Sequence, residues 1–241
     1  MRKLFLAMTV AASFVTAANS QDHDNHDKDS KQRIEGSGNV VTKEFNISPF
    51  SQLDVKGVFS VLLTQGNKEG VKIEADDNLQ SLFDVKNDGS TLVISMKENS
   101  NFNSKKKLKV YVTFKKLNSM NLKTVGDISS ENNLNFDDLK ISNKSVGSID
   151  LKMTAQSIDV DNKSVGSVKL NGKAENAIIR NKGVGSVQAA SFIVQKMDID
   201  NSGVGSAEVN AAKEIIVKDS FLGKVTNKGA APVKKLKKVA I

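Results

Sequence analysis

The run Asn143-Lys144-Ser145-Val146-Gly147-Ser148 decides the fold, because the chain repeats it. Asn162-Lys163-Ser164-Val165-Gly166-Ser167 matches it residue for residue. Asn181-Lys182-Gly183-Val184-Gly185-Ser186 and Asn201-Ser202-Gly203-Val204-Gly205-Ser206 are close copies. Lys123-Thr124-Val125-Gly126-Asp127 before them and Asp219-Ser220-Phe221-Leu222-Gly223-Lys224 after them are diverged versions. The shared glycines are Gly126, Gly147, Gly166, Gly185, Gly205 and Gly223, at steps of 21, 19, 19, 20 and 18 residues. A fixed period of about twenty marks a solenoid, in which each unit stacks only on its neighbours.

Within the units the apolar residues alternate. Ile149, Leu151 and Met153 are followed by Ile158 and Val160, and Val168 and Leu170 open the next unit. A period of two means strand, and no unit holds the i, i+3, i+4, i+7 series of an amphipathic helix. A leucine-rich repeat has a similar length, but its leucine framework is missing. The fold expected is all-β: a right-handed parallel β-helix, one coil per repeat. With strands about 4.8 Å apart, six coils make a rod roughly 25–30 Å long.

The motif residues suit corners. Glycine lets backbone pass close to backbone. Asn143, Asn162, Asn181 and Asn201 are expected to stack as a ladder at one corner, each amide bonding to the next. Val146, Val165, Val184 and Val204 are expected to form an apolar column facing the core. Strict alternation sets Val146 and Ile149 on opposite faces, so this placement needs a bend or bulge at Gly147-Ser148 to reset the parity. On that expectation Val165→Asp buries an unpaired charge and costs several kcal/mol.

Residues 1–20 read as a secretory signal. Arg2 and Lys3 precede an apolar run from Leu4 to Val15 that is too short to anchor in a bilayer, and Ala18-Asn19-Ser20 is a small-x-small cleavage site. No later stretch is apolar enough to serve as a transmembrane segment. The chain is therefore expected to be exported, to the periplasm, the cell surface or the medium. With no cysteine, neither disulfides nor a lipid-modified cysteine contributes. Residues 21–33 have a linker composition. His23, His26 and the neighbouring aspartates are metal-ligand types, but a disordered segment does not preorganise ligands, so no metal site is assigned.

Residues 34–120 carry a denser β pattern: Phe59, Val61 and Leu63, then Val71 and Ile73, then Leu92 and Ile94, then Leu108, Val110, Val112 and Phe114. They are expected to be an irregular, wider part of the same solenoid that covers its open end, a separate sandwich domain being the alternative. Asp76 to Phe83 is compatible with a short helical turn. Residues 121–241 are the regular repeats, closed by a capping strand around Val233-Leu236 with its lysines outside. Lys105-Lys106-Lys107 fits a charge block that prevents edge pairing, or a phosphate or lipid contact.

The net charge of +8 does not point to nucleic acid. The lysines are spread around the repeats, arginine is nearly absent, Tyr111 is the only tyrosine and there is no tryptophan, whereas base readout and stacking favour arginine and aromatic side chains. A broad positive field suits anionic envelope polymers better. Catalysis finds little support. Both histidines lie in the linker. Asp76-Asp77 and Asp137-Asp138 are sequence neighbours, which point to opposite faces of a strand, and the outward Asp150, Asp159, Asp161, Asp198 and Asp200 share their faces with lysines. No catalytic, cofactor-binding or metal residue is assigned. The alternative is a polysaccharide lyase or hydrolase using aspartates on one face.

The N-terminal half carries a resemblance. Gly36-Ser37-Gly38-Asn39-Val40-Val41 leads into Phe50-Ser51-Gln52-Leu53-Asp54-Val55, then Gly57-Val58-Phe59-Ser60-Val61-Leu62-Leu63-Thr64-Gln65-Gly66, then Ile73-Glu74-Ala75-Asp76-Asp77-Asn78-Leu79. With the later glycine-centred repeats, this order resembles the head GIN domain family of auto-transporter adhesins, over about residues 34–225. The resemblance implies a right-handed β-helix, an exported location, and adhesion to an envelope or host polysaccharide or a surface protein, with self-association a further option. The family's repeat usually reads Gly-Ala-Gly-Asp. Here only Asp127 keeps the acid, so a cation-binding role for that column is not carried over.

Overall fold

In the computed structural model, residues 33–98 and 100–236 are described. The expected signal, the His23 and His26 segment, and Lys237 and Lys238 lie outside the described residues. The fold is nearly all β, 66% strand and 3% helix, wound as a solenoid of about six turns with ~20 residues per turn.

The described residues form eighteen strands. The first eight are β1 (Ile34–Glu35), β2 (Val40–Phe45), β3 (Gln52–Gly57), β4 (Ser60–Gln65), β5 (Gly70–Asp76), β6 (Phe83–Asp88), β7 (Thr91–Met96) and β8 (Phe102–Asn103). A short 3-10 helix, Asp77–Leu82, separates β5 from β6. There follow β9 (Lys109–Phe114), β10 (Ser119–Thr124), β11 (Ile128–Ser130), β12 (Leu134–Asn143), β13 (Ile149–Asn162), β14 (Val168–Asn181), β15 (Val187–Asn201), β16 (Ala207–Asp219), β17 (Val225–Asn227) and β18 (Val233–Lys235).

From β12 to β16 each strand lies parallel to the next and one coil along. Ile149 pairs with Val168, Val168 with Val187 and Val187 with Ala207. Val160, Ile179, Ile199 and Val217 stack in the same way on the other side of the bore. These columns are almost fully buried. Each buried Val, Leu or Ile contributes about 1.5–3 kcal/mol, so the core is a set of apolar ladders rather than one cluster around a centre. Each strand from β13 to β15 runs through one bend without breaking. In β13 the inside-outside alternation slips at Gln156-Ser157, which turns the strand back over the core.

The N-terminal part is not a simple run of further coils. The strands β3 and β4 form one coil, with β10 and β11 stacked on one side of it and β7 and β9 on the other. The chain therefore completes a coil, leaves to build the end of the molecule, and returns to the opposite side of that coil. At the end the pairing turns antiparallel: β5 against β9, β2 against β5, and β6 against β7. Charged residues such as Lys43, Glu44, Asp84 and Lys86 stand on the edge strands, which discourages further strand addition. At the other end, among the described residues, β16 carries the short β17 and β18.

Candidate functional site

The repeated hexapeptide builds two parallel columns with opposite destinations. Asn143, Asn162, Asn181 and Asn201 point into the solenoid and are buried. The Nδ2 of each donates to the Oδ1 of the next, at 2.7, 2.7 and 2.6 Å. The last, Asn201, donates to the carbonyl oxygens of Gly223 and Gly205. The oxygens are also met within their own coil: Ser145 N–H donates to Asn143 Oδ1, and Ser164 Oγ–H to Asn162 Oδ1. A buried amide costs little when both its ends are bonded. Ser145 and Ser164 are buried beside the asparagines.

The glycines close the coils. Gly126, Gly147, Gly166, Gly185 and Gly205 have φ between +129° and +150°. At Gly166 an added Cβ would sit 2.2 Å from the carbonyl oxygen of Gly147, so two features exclude a side chain there: the backbone conformation and the backbone underneath. Gly223 ends the series, with Asn201 donating to its carbonyl oxygen.

The valines are on the outside. Val125, Val146, Val165, Val184 and Val204 are linked by successive parallel bridges and are 48–54% exposed. This corrects the expectation that they face the core. Alternation is not reset at the glycine: Asn143 and Ser145 point in, Lys144 and Val146 point out, and Ile149 points in again. The column is also longer than the repeat suggests. Val125 N–H donates to the Gly57 carbonyl as Val146 N–H does to that of Thr124, which makes Val58 the first rung. Gly205 N–H donates to the Leu222 carbonyl as Gly147 N–H does to that of Val165, which makes Leu222 the last. Leu222 is 61% exposed, and Phe221 beside it is 99% exposed.

A lysine column runs alongside the first five rungs, two residues earlier in each, and gives way to Ser202 and Ser220 in the last two. Lys56 pairs in register with Lys123, and Lys144, Lys163 and Lys182 continue the line, each N–H donating to the coil before. Lys56 is bonded to Glu98 at 2.8 Å and Lys163 to Asp161 at 3.1 Å. Among the described residues Lys123, Lys144 and Lys182 stand in no ion pair. Like charges set directly opposite one another destabilise a sheet, so folding alone does not account for this column. At the N-terminal end the columns meet a recess of about 310 Å³ lined by Val58, Phe102, Val125 and the loop Lys105, Lys106 and Lys107.

The aspartates have other employment. Asp76 is buried and accepts from Gly38 N–H and from the Ser104 hydroxyl. Asp77 accepts from the Ser37 hydroxyl, the Asn39 amide and Asn78 N–H, and the first of these does most to hold its carboxyl below the ordinary range. Both therefore tie the segment before β2 to the helical turn. On the flat faces Asp150 is bonded to Lys169, Asp159 to Arg180 and Asp200 to Lys218. Asp137 and Asp138 are exposed at the rim of a groove of about 760 Å³, with Lys115, Lys116, Asn118 and Gln156. Gln65 ties that groove together by donating to the carbonyls of Lys115 and Asn135. Among the described residues no three His, Cys, Asp or Glu side chains gather as a metal site, and no helix is long and apolar enough to cross a membrane.

A stacked parallel core closed by antiparallel strands, with side-chain ladders running from coil to coil, defines a β-solenoid. Residues 49–231 match the family model described as putative auto-transporter adhesin, head GIN domain, and the chain belongs to that family. A putative adhesin from Bacteroides fragilis NCTC 9343 is 29% identical at a TM-score of 0.74, over 84% of this chain and 100% of that one. A putative lipid binding protein from Parabacteroides distasonis ATCC 8503 is 18% identical at 0.57, over 86% and 100%. A putative adhesin from Parabacteroides merdae ATCC 43184 is 20% identical at 0.53, over 85% and 99%. These last two share the fold. No curated protein matches.

Proposed function

We propose that this chain is an exported, non-enzymatic adhesive module of the cell envelope, which holds a surface through the bend that carries its valine and lysine columns. The observation that carries this reading is the exposed apolar column itself: seven rungs, unbroken from Val58 to Leu222, beside five lysines. A core has no use for apolar residues placed in solvent on every coil, and a periodic exposed stripe fits repeated shallow contact with an extended target. Family membership supports adhesion, and the signal-like residues 1–20 support export. The repeat-corner residues Asn143, Asn162, Asn181 and Asn201, with their glycines, act as scaffold and hold that bend straight.

The groove at Asp137 and Asp138 favours a second reading, a polysaccharide-active enzyme, since it offers a recess with two carboxylates. One experiment separates them. The purified chain is incubated with a panel of envelope and host polysaccharides and with whole cells, and both retention and release of short products are recorded. Retention without products is expected. Products that persist after repurification and vanish in Asp137→Asn or Asp138→Asn would replace the adhesive reading with the enzymatic one.

A further inference from the structure

We infer that the target of the exposed bend is the headgroup layer of an anionic lipid bilayer, on which the solenoid lies along its valine edge. This inference rests on the adhesive reading and names the chemistry of its ligand.

The apolar rungs lie on a turn of the chain, where the surface is convex. Six steps of about 4.8 Å give a line roughly 29 Å long and one residue wide. That is far short of the ~800 Å² per partner that stable protein interfaces bury, so a second folded protein, another copy of this chain included, is a poor fit. A carbohydrate site needs concavity and an aromatic platform, and from Val146 to Val204 the rungs of this edge carry no aromatic side chain and line no recess. A bilayer surface needs no matching shape. It accepts a narrow apolar edge at the boundary between headgroups and acyl chains, with basic residues beside it.

The charges fit the same target. The lysine column lies parallel to the valines at two residues' distance, where lysine stems reach the phosphates while the valines enter the apolar boundary. On the other flank stand Ser148, Ser167, Ser186 and Ser206, which add hydroxyls, and one carboxylate, Asp127, which is paired with Lys107. The line is reinforced at both ends. Lys105, Lys106 and Lys107 surround the recess next to Val58, and Phe221, wholly exposed beside Leu222, is the side chain best suited to enter the interface. A lysine column that costs folding energy in isolation is neutralised by a row of lipid phosphates.

The absence of tryptophan from the chain provides a local test. Val165→Trp in the full chain places the sole indole on the proposed contact line, and Lys173→Trp places it on an exposed position beyond the other bend. Each is mixed with vesicles of equimolar phosphatidylglycerol and phosphatidylcholine, and with vesicles of phosphatidylcholine alone. The expected result is a blue shift of the Val165→Trp emission with the anionic vesicles only, and none for Lys173→Trp. Replacing Lys144, Lys163 and Lys182 by Gln should weaken the response roughly a hundredfold, with a thermal midpoint no lower than that of the unaltered chain showing that the fold is intact. No shift at position 165, or an equal shift at 173, overturns the lipid assignment. So does a response to inorganic polyphosphate equal to that with vesicles, which would assign the lysines to phosphate alone. If the emission stays put while cells or polysaccharides still retain the chain, adhesion stands and the lipid target falls. If neither holds the chain, both fall.

Discussion

Two columns three residues apart in one hexapeptide show how a solenoid uses a repeat twice. The asparagines at 143, 162, 181 and 201 are polar and buried; the valines at 146, 165, 184 and 204 are apolar and half in water. Hydropathy alone would reverse them. The inner column is tolerable because every amide finds its partner one coil away. The outer one is half exposed on every coil, and the adhesive reading proposed above rests on its regularity. Periodicity in a stacked fold therefore marks two kinds of constraint, and only hydrogen-bond satisfaction and burial tell them apart.

Substitutions can break this contrast, and the largest effect should come from the floor of the turn. Gly166→Ala forces a methyl against the Gly147 carbonyl at a φ of +138°, and should cost more than about 3 kcal/mol in urea denaturation. A midpoint equal to that of the unaltered chain would mean that the coils are less closely stacked at this point. Asn162→Ala comes next. It removes the acceptor of Asn143 Nδ2 and of the Ser164 hydroxyl, and leaves Asn181 Oδ1 with only the long bond from Gly183 N–H, for about 2–4 kcal/mol. A loss under half of that would show water replacing the amide.

Outward ion pairs rank below. Glu74 accepts from Lys109 Nζ and Tyr111 Oη, both at 2.9 Å, and the lysine bond, then the tyrosine bond, holds its carboxyl below the ordinary range. A carboxyl depressed in the folded state stabilises fully above its unfolded value of about 4.3 and loses that contribution as pH falls through the lowered folded value. Glu74→Gln should therefore remove part of the stability loss on acidification below about pH 4, by less than about 1 kcal/mol for so open a pair. Identical acid limbs in thermal melts would show the pair to be inert. The smallest effect is expected at the outer column: Val165→Asp should stay within about 0.5 kcal/mol of the unaltered chain. A loss of several kcal/mol would put that column back in the core.

The sequence made the architecture legible because twenty-residue periodicity and alternating Ile, Leu and Val leave few other solutions. The side on which Val146 lies was legible too, in principle. Counting back by twos from the buried Ile149 places Gly147, Ser145 and Asn143 inside and Val146 outside. What hid this was the expectation that the valines face the core, which required a parity reset at Gly147-Ser148 that the chain does not make. The N-terminal coil was harder to see. Gly57 and Val58 are the first members of the column, but the chain leaves to build the antiparallel end before returning at Val125, so the period disappears from the linear order. The engagement of Asp76 by Gly38 and Ser104 depends on contacts between distant segments and left no local signature.

The one-way amide ladder has an evolutionary consequence. Asn143, Asn162 and Asn181 are spaced 19 and 19 residues apart and make the same bond to the next coil. Removing residues 162–180 would bring Asn181 to the place of Asn162, with its donor and acceptor in the same directions; a change of one residue is absorbed by a bulge, as in the 20-residue step to Asn201, whereas loss of half a coil would break the ladder. Duplication and deletion in this gene are thus filtered in whole coils, and each accepted event changes the count of surface valines and lysines with it. The length of the edge is a heritable quantity that moves in steps, without a new fold having to be found at any of them.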